Sequence, residues 1–330
     1  MLPELRKQLL FPQEDNMAIL VIGGSGFIGP RAIRRLIERG EEVVCMDINP
    51  HSDQLSGMGE RLKVMYGDIT SFEDVVKAIL ETKPDRIINL AYLLPVVGSE
   101  DRPHQDTRLN IMGMDNCFEA ARVCGVNRVV YASSIAVSGQ QSNFGDRMTT
   151  EDDPMHGTSQ YAVHKIFNEF QASKYIENYG MAITGIRPAN VTGPDKFRGS
   201  VDHVRCITQP ARGEPVNFPH KDIMRLPIHV EDIAEAFVRV SLSDSSHYPV
   251  YNSGGHAISL GDLAGMVKEF LPESQITFAD EGGRELSGNY MVDNSRLIDE
   301  FEITYAPFRQ RVLEIINEIR LDSGLPVVAG

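Results

Sequence analysis

Tryptophan is absent from this 330-residue chain, so any stacking on a planar ligand falls to its 14 phenylalanines and 10 tyrosines. Cysteine is scarce. Cys45, Cys117, Cys124 and Cys206 form no Cys-x-x-Cys pair, which argues against a thiolate metal knuckle or a redox motif and for structural thiols of a reducing compartment. Basic residues are outnumbered, 32 against 46 acidic, for a net charge of −14. That balance argues against a nucleic-acid footprint but leaves room for an anionic small ligand, which needs only a few local donors. No apolar run approaches the ~18 residues of a membrane span. Residues 1–16 mix charges with prolines and lack the apolar centre of a signal peptide. A cytoplasmic protein with neither a metal site nor a membrane partner is expected.

Hydrophobic residues make up 42% and charged residues 24%, the composition of a globular domain. After the extension 1–16, short apolar runs alternate with helical patterns. Met17–Ile22, Val43–Met46, Leu62–Tyr66, Arg86–Ala91, Arg128–Ala132 and Ala182–Ile186 read as strands. Phe27–Arg39, Val75–Leu80, Asn110–Cys124 and Ser159–Asn178 read as helices. This alternation predicts an α/β fold, a doubly wound parallel sheet of the Rossmann kind, over residues 17–190. From 191 to 330 proline and glycine become frequent, and helices at Val230–Leu242 and Leu260–Phe270 are separated by irregular stretches. A smaller, partly discontinuous substrate-binding region is expected there, with segments returning to the sheet.

Gly23, Gly26 and Gly29 follow the first strand and open the first helix, with Phe27 and Ile28 between them. Glycines at this spacing permit a tight turn and close approach of backbone to a pyrophosphate, which the helix N-terminus attracts. Asp47 closes the second strand, where a carboxylate can accept both ribose hydroxyls of a dinucleotide. It would repel a 2′-phosphate, so NAD is expected over NADP. Asp68, beside Ile69, ends the third strand; it reads equally as a contact to the adenine amino group or as part of the N-cap region ahead of Ser71.

Tyr161 and Lys165 stand at i and i+4 of a predicted helix, on one face, where an ammonium would favour the phenolate. Ser134 ends the strand Arg128–Ala132 at the sheet edge where ligands of open α/β sheets bind. Ser133 reads as a hydroxyl satisfied by backbone and His164 as a solvated or packed imidazole. Taken together, Gly23-x-x-Gly26-x-x-Gly29, Asp47, Ser134 and Tyr161-x-x-x-Lys165 resemble the NAD-dependent epimerase/dehydratase family, the extended short-chain dehydrogenase/reductases, from about Met17 to about Arg320.

The resemblance implies that Tyr161 is the general acid/base, that Lys165 lowers its pKa and holds the nicotinamide ribose, and that Ser134 binds the reacting oxygen. It places Leu90 and Ala91 over the cofactor, Asn110 below the site and Arg187-Pro188 beside the nicotinamide. Asn190, Arg225 and Arg284 match positions that contact the diphosphate or nucleotide of sugar-nucleotide substrates, and guanidinium groups suit such oxygens. Several features depart from that pattern: a short stretch between Gly193 and Arg225, an apolar run Ala91–Val97, and only Phe197, Phe218 or Tyr251 to stack on a base. Ile135 and Ala136 stand where 4,6-dehydratases carry an acidic pair, so dehydration is not expected. A nucleotide-sugar epimerase is the implied activity, with a dehydrogenase of a free sugar, sugar acid or small alcohol as the alternative and an inactive NAD-binding regulator as a third. A homodimer through Pro103–Cys124 and Ser159–Asn178 is implied as well.

Overall fold

The computed structural model describes residues 18–94, 102–280 and 282–330. The extension 1–16 and the part of the apolar run from Pro95 to Val97 lie outside the described residues. In chain order the elements are β1 (Ile19–Ile22), α1 (Gly29–Glu38), β2 (Val43–Asp47), β3 (Leu62–Tyr66), α2 (Phe72–Thr82) and β4 (Arg86–Asn89). Next come α3 (Pro103–Thr107), α4 (Met114–Cys124), β5 (Arg128–Ala132), α5 (Gln160–Tyr179), β6 (Ala182–Arg187), β7 (Asn190–Thr192) and α6 (Asp202–Ala211). The remainder comprises β8 (Val216–His220), β9 (Met224–Arg225), β10 (Pro227–His229), α7 (Val230–Leu242), β11 (Val250–Asn252), β12 (Ile258–Ser259), α8 (Leu260–Phe270), β13 (Ile276–Asp280), α9 (Ser295–Phe301) and α10 (Phe308–Asp322).

Seven strands form one sheet in the order β3-β2-β1-β4-β5-β6-β11, every neighbouring pair parallel. The run Ile19–Ile22 is buried along its whole length, as expected of a parallel strand covered on both faces. One face packs on α1 and α7 through Ile33, Leu36, Ile233 and Phe237. The other packs on α2, α4 and α5 through Val75, Phe118 and Ala172. Each such side chain stabilises the fold by about 1.5–3 kcal/mol when fully buried. A separate core joins α6, α8 and α10 with β8 and β13 around Ile207, Leu263 and Ile315.

The chain returns to the sheet after residue 191: β11 pairs with β6, and α7 and α9 cover the sheet face shared with α1. The helix read from Asn110 instead begins as α3 and passes through a π-helical stretch, Arg108–Gly113, before α4. Such stretches are rare and gather at functional sites. No helix among the described residues is long and apolar enough to cross a membrane.

Candidate active site

A cavity of about 910 Å³ runs across the C-terminal ends of the strands, from the glycine turn after β1 to the segment after β5 and on beneath residues 195–200. Gly23, Gly26, Phe27 and Ile28 form one wall. At Gly23 φ is +77°, and a Cβ would stand 2.5 Å from the Ala91 nitrogen. At Gly29 it would meet the Gly24 carbonyl oxygen at 2.3 Å. The turn therefore closes only with glycine at both places, leaving the N-terminal end of α1 beside the cavity. The Asp47 carboxylate accepts hydrogen bonds from the backbone N–H groups of Ser25 (3.0 Å) and Asn49 (2.9 Å), which ties the end of β2 to this turn.

The other residues expected at the cofactor divide into two groups. Leu90 lines the cavity, and Ala91 backs it by packing on Gly23. Asp68 accepts from the Thr70 N–H at 2.8 Å while Ser71 caps α2, so its carboxylate serves the turn. Ile69 is buried in the core, its side chain against Gly113. Asn110 lies in the π-helical stretch and does not line the cavity. Its side chain clamps the Leu93 backbone, accepting from N at 2.8 Å and donating to O at 3.0 Å, and so fixes the segment that carries Tyr92 and Leu94 into the wall.

Ser134, Tyr161 and Lys165, the groups expected to handle the proton, all line the cavity. Ser159 caps α5 through the Ala162 N–H, which sets Tyr161 in the first turn at the cavity edge. Ser134 leaves β5 extended and caps a short 3₁₀ turn, Ile135–Ser138, with its Oγ. The Ser134 hydroxyl and the Tyr161 phenol both line the cavity. Burial raises the phenol's pKa, and the neighbouring Ser134 hydroxyl opposes that shift.

Lys165 corrects one expectation. Its Nζ donates to the Ala132 carbonyl at 2.6 Å and rests 3.2 Å from the centre of the Tyr92 ring, whereas the Tyr161 ring centre is 5.8 Å away. Spacing along the helix puts the two side chains on one face, but the carbonyl ending β5 captures the ammonium. Tyr92 meets Tyr161 edge-on at 5.5 Å and was missed in the sequence, where it stands inside an apolar run. Ser133, expected to bond backbone, donates to Glu169. Arg187, expected beside the nicotinamide, is buried beneath the site in a two-pronged ion pair with Glu169. His164 is buried and packed near Thr107.

In the substrate half, Asn190, Arg225 and Lys196 line the cavity. The Asn190 Oδ1 accepts from the Leu226 N–H at 2.8 Å. Arg225 binds the Asp202 carboxylate at 3.0 and 2.5 Å. Lys196, which the sequence reading did not single out, donates to the Val191 carbonyl at 2.6 Å; burial brings its pKa down to about 8. Arg284 is exposed, binds the Tyr290 hydroxyl at 2.9 Å and does not line the cavity. Of the three aromatic side chains considered for stacking, Phe218 and Tyr251 are core residues, and only Phe197 borders the cavity. Asp195, held by Arg31 at 2.9 and 3.0 Å and by Gln54 at 2.6 Å, fastens the segment that ends the cavity on the α1 side. These partners lie far apart in sequence and carry no local signal.

The family model for the NAD dependent epimerase/dehydratase family matches residues 19–254. A UDP-glucose 4-epimerase from Mycolicibacterium smegmatis is 33% identical over 234 residues, 68% of this chain and 72% of the relative. The solved UDP-glucose 4-epimerase of Thermus thermophilus in complex with NAD superposes with a TM-score of 0.80 at 25% identity, covering 92% of this chain and 99% of that one. A GalE-like L-threonine dehydrogenase from Cupriavidus necator, 21% identical with a TM-score of 0.78 over 92% of this chain and 99% of its own, shares the fold. With the strand order, the glycine turn and the Ser134–Tyr161–Lys165 cluster, these matches identify the chain as a member of the NAD-dependent epimerase/dehydratase family.

Proposed function

We propose that the chain is an epimerase of nucleotide-linked sugars that keeps its NAD bound through the reaction. One observation carries the reading: a hydroxyl, a phenol and a buried ammonium meet in a cavity that also borders a dinucleotide-type glycine turn. The glycine turn and Asp47 fit NAD, because Gly23 leaves no room for a Cβ and Asp47 stands at the end of β2. Bound NAD supplies the hydride acceptor and donor. Tyr161 holds the transferred proton on its phenol oxygen, and the Ser134 hydroxyl fixes the reacting substrate oxygen beside it. Because burial keeps the phenol protonated, Tyr161 is poised to donate to a carbonyl oxygen. The reverse step draws on Ser134, whose hydroxyl favours the phenolate, while Lys165 is left to hold the nicotinamide ribose.

Asn190, Lys196 and Arg225 would receive the diphosphate, with Phe197 beside the base. Ile135 and Ala136 border the cavity and offer no proton acceptor, so elimination of water is left out of the scheme. Exposed Met112, Val163, Phe167 and Phe170 on the π-helical stretch and α5 support a homodimer through these helices, which light scattering would detect. A monomer would remove that part of the reading.

Arg225 and Arg284 both have protein partners already. This favours, as a second reading, a dehydrogenase of a small alcohol that needs no diphosphate site. Incubating the purified protein with NAD and a panel of nucleotide hexoses separates the two. The epimer should appear without free NADH; NADH accumulating with a small alcohol, and no epimer, would select the dehydrogenase. Thermal shifts of the same panel report binding even from modest ligands at high excess.

A further inference from the structure

Tyr161, Lys165 and Glu169 occupy successive i+4 positions on α5, so one face of the helix runs from the cavity down to the sheet. Lys165 is 1% exposed. Its Nζ has one carbonyl partner, Ala132, and one aromatic face, Tyr92, both uncharged. A buried ammonium in such a setting favours its neutral form unless a counter-charge stands near. On α5 the titratable groups facing it are Tyr161, His164 and Glu169; the segment after β4 contributes Tyr92. Asp106 on α3 acts on His164 and Tyr92, and the end of β5 adds the Ser133 hydroxyl. Arg187 on β6 approaches from beyond Glu169. Glu169, one turn beyond Lys165 on the same face of α5, is the carboxylate that the helix places nearest to it.

The Glu169 carboxylate is held from three directions. It accepts from the Ser133 hydroxyl and from Arg187 Nε at 2.8 Å and Nη2 at 2.7 Å. The carbonyl that holds Lys165 Nζ and the hydroxyl that holds Glu169 belong to the adjacent residues Ala132 and Ser133, so the end of β5 seats the ammonium and the carboxylate one residue apart, while Arg187 pairs with the carboxylate directly. If Glu169 served only to fasten β6 to α5 through Arg187, the charge on Lys165 would not depend on it.

We propose that Glu169 is a positioning residue that keeps the Lys165 ammonium charged in its buried seat, with Ser133 and Arg187 fixing the carboxylate for that purpose. The inference deepens the reading of Lys165 as part of the catalytic set, and it is tested on the charge itself. Burial drives the Lys165 pKa well below the ordinary lysine value, and the Glu169 carboxylate opposes that shift.

The experiment is a pH titration of the full-length protein carrying ¹³Cε-labelled lysine. The Lys165 resonance is assigned by its loss in Lys165→Met. Glu169→Gln keeps the shape and one acceptor oxygen but turns the other acceptor into a donor, and its Lys165 midpoint is expected to fall by about one pH unit, the effect of removing a nearby opposite charge. Should the single variant fail to fold because Arg187 is left unpaired, Glu169→Gln/Arg187→Met removes both members of the ion pair. There the midpoint falls in the same direction by a smaller amount. A midpoint unchanged from the unsubstituted protein in the variants that fold would overturn the proposal and leave Glu169 a fold staple. Turnover of Lys165→Met, measured separately, tests the catalytic reading: retained turnover would reject that reading without touching the titration.

Discussion

Replacing Gly23 with alanine attacks the cofactor cradle at its tightest point. The Cβ would stand 2.5 Å from the Ala91 nitrogen and 2.7 Å from its Cα, both backbone atoms that cannot swing aside. A left-handed φ of +77° adds about 1–2 kcal/mol for a residue with a side chain. Forcing apart two packed backbone segments adds about 1–3 kcal/mol. The combined loss of about 2–5 kcal/mol corresponds to a fall of roughly 3–7 °C in Tm for a chain of this size. Displacing Ala91 also moves Tyr92, the ring that faces Lys165, so NAD affinity should drop along with stability. Gly57→Ala is the matched control. Its φ is +74° with nothing within 4 Å of the added Cβ, so it should cost only the backbone term and leave NAD binding unchanged. Differential scanning calorimetry and equilibrium NAD binding on both variants decide the matter. If Gly23→Ala bound NAD as tightly as Gly57→Ala and melted at the same temperature, the close-approach argument would be wrong.

Tyr161→Phe should retain NAD and lose turnover by about 10²–10⁴-fold, the range for a positioned acid/base group; kcat within a few-fold of normal would reject its role. Asp47→Asn should narrow the preference for NAD over NADP, measured by equilibrium binding of both, because a carboxylate at the ribose repels a 2′-phosphate; an unchanged ratio would remove Asp47 from the site. Stability should fall on acidification. Burial depresses His203 to about 4 and His229 to about 3. Between about pH 6.5 and those values the unfolded chain binds protons that the folded chain refuses, so stability present above about pH 6.5 is lost as the pH drops. Each histidine contributes a slope of at most about 1.4 kcal/mol per pH unit. His229 caps α7 by accepting from the Glu231 N–H, a role its protonated ring cannot fill at that nitrogen. His229→Asn should therefore keep the cap and flatten the slope in urea unfolding, and an unaltered slope would assign the acid loss elsewhere.

The features legible in the sequence are those with a local period. Alternating apolar runs and helical patterns foretell β1 to β6 because β1, β2, β4, β5 and β6 are buried along most of their length; β3, at the sheet edge, stays partly exposed. The glycine spacing marks the turn because a Cβ cannot be accommodated there, and Ser159 marks the start of α5 because it caps it. The partnerships were not legible. Arg31 with Asp195, Arg225 with Asp202 and Ser133 with Glu169 join residues distant in sequence, and nothing in a window of a few residues records such a pairing. The lysine illustrates the limit well. Its place on the helix face follows from the i+4 spacing, but the direction of its ammonium follows from a carbonyl on another strand. Tyr92 was hidden by its apolar neighbours, though a lone phenol inside such a run is itself a signal.

The central claim is that this cavity oxidises and re-reduces one carbon of a nucleotide-linked sugar with Tyr161 carrying the proton. The direct measurement gives the NAD-loaded protein nucleotide hexoses each deuterated at a single ring carbon and follows the sugars by NMR. The epimer should form with deuterium retained, without release of NADH, and Tyr161→Phe should suppress it. Absence of epimer, or appearance of free deuterated NADH with an oxidised sugar, would contradict the claim.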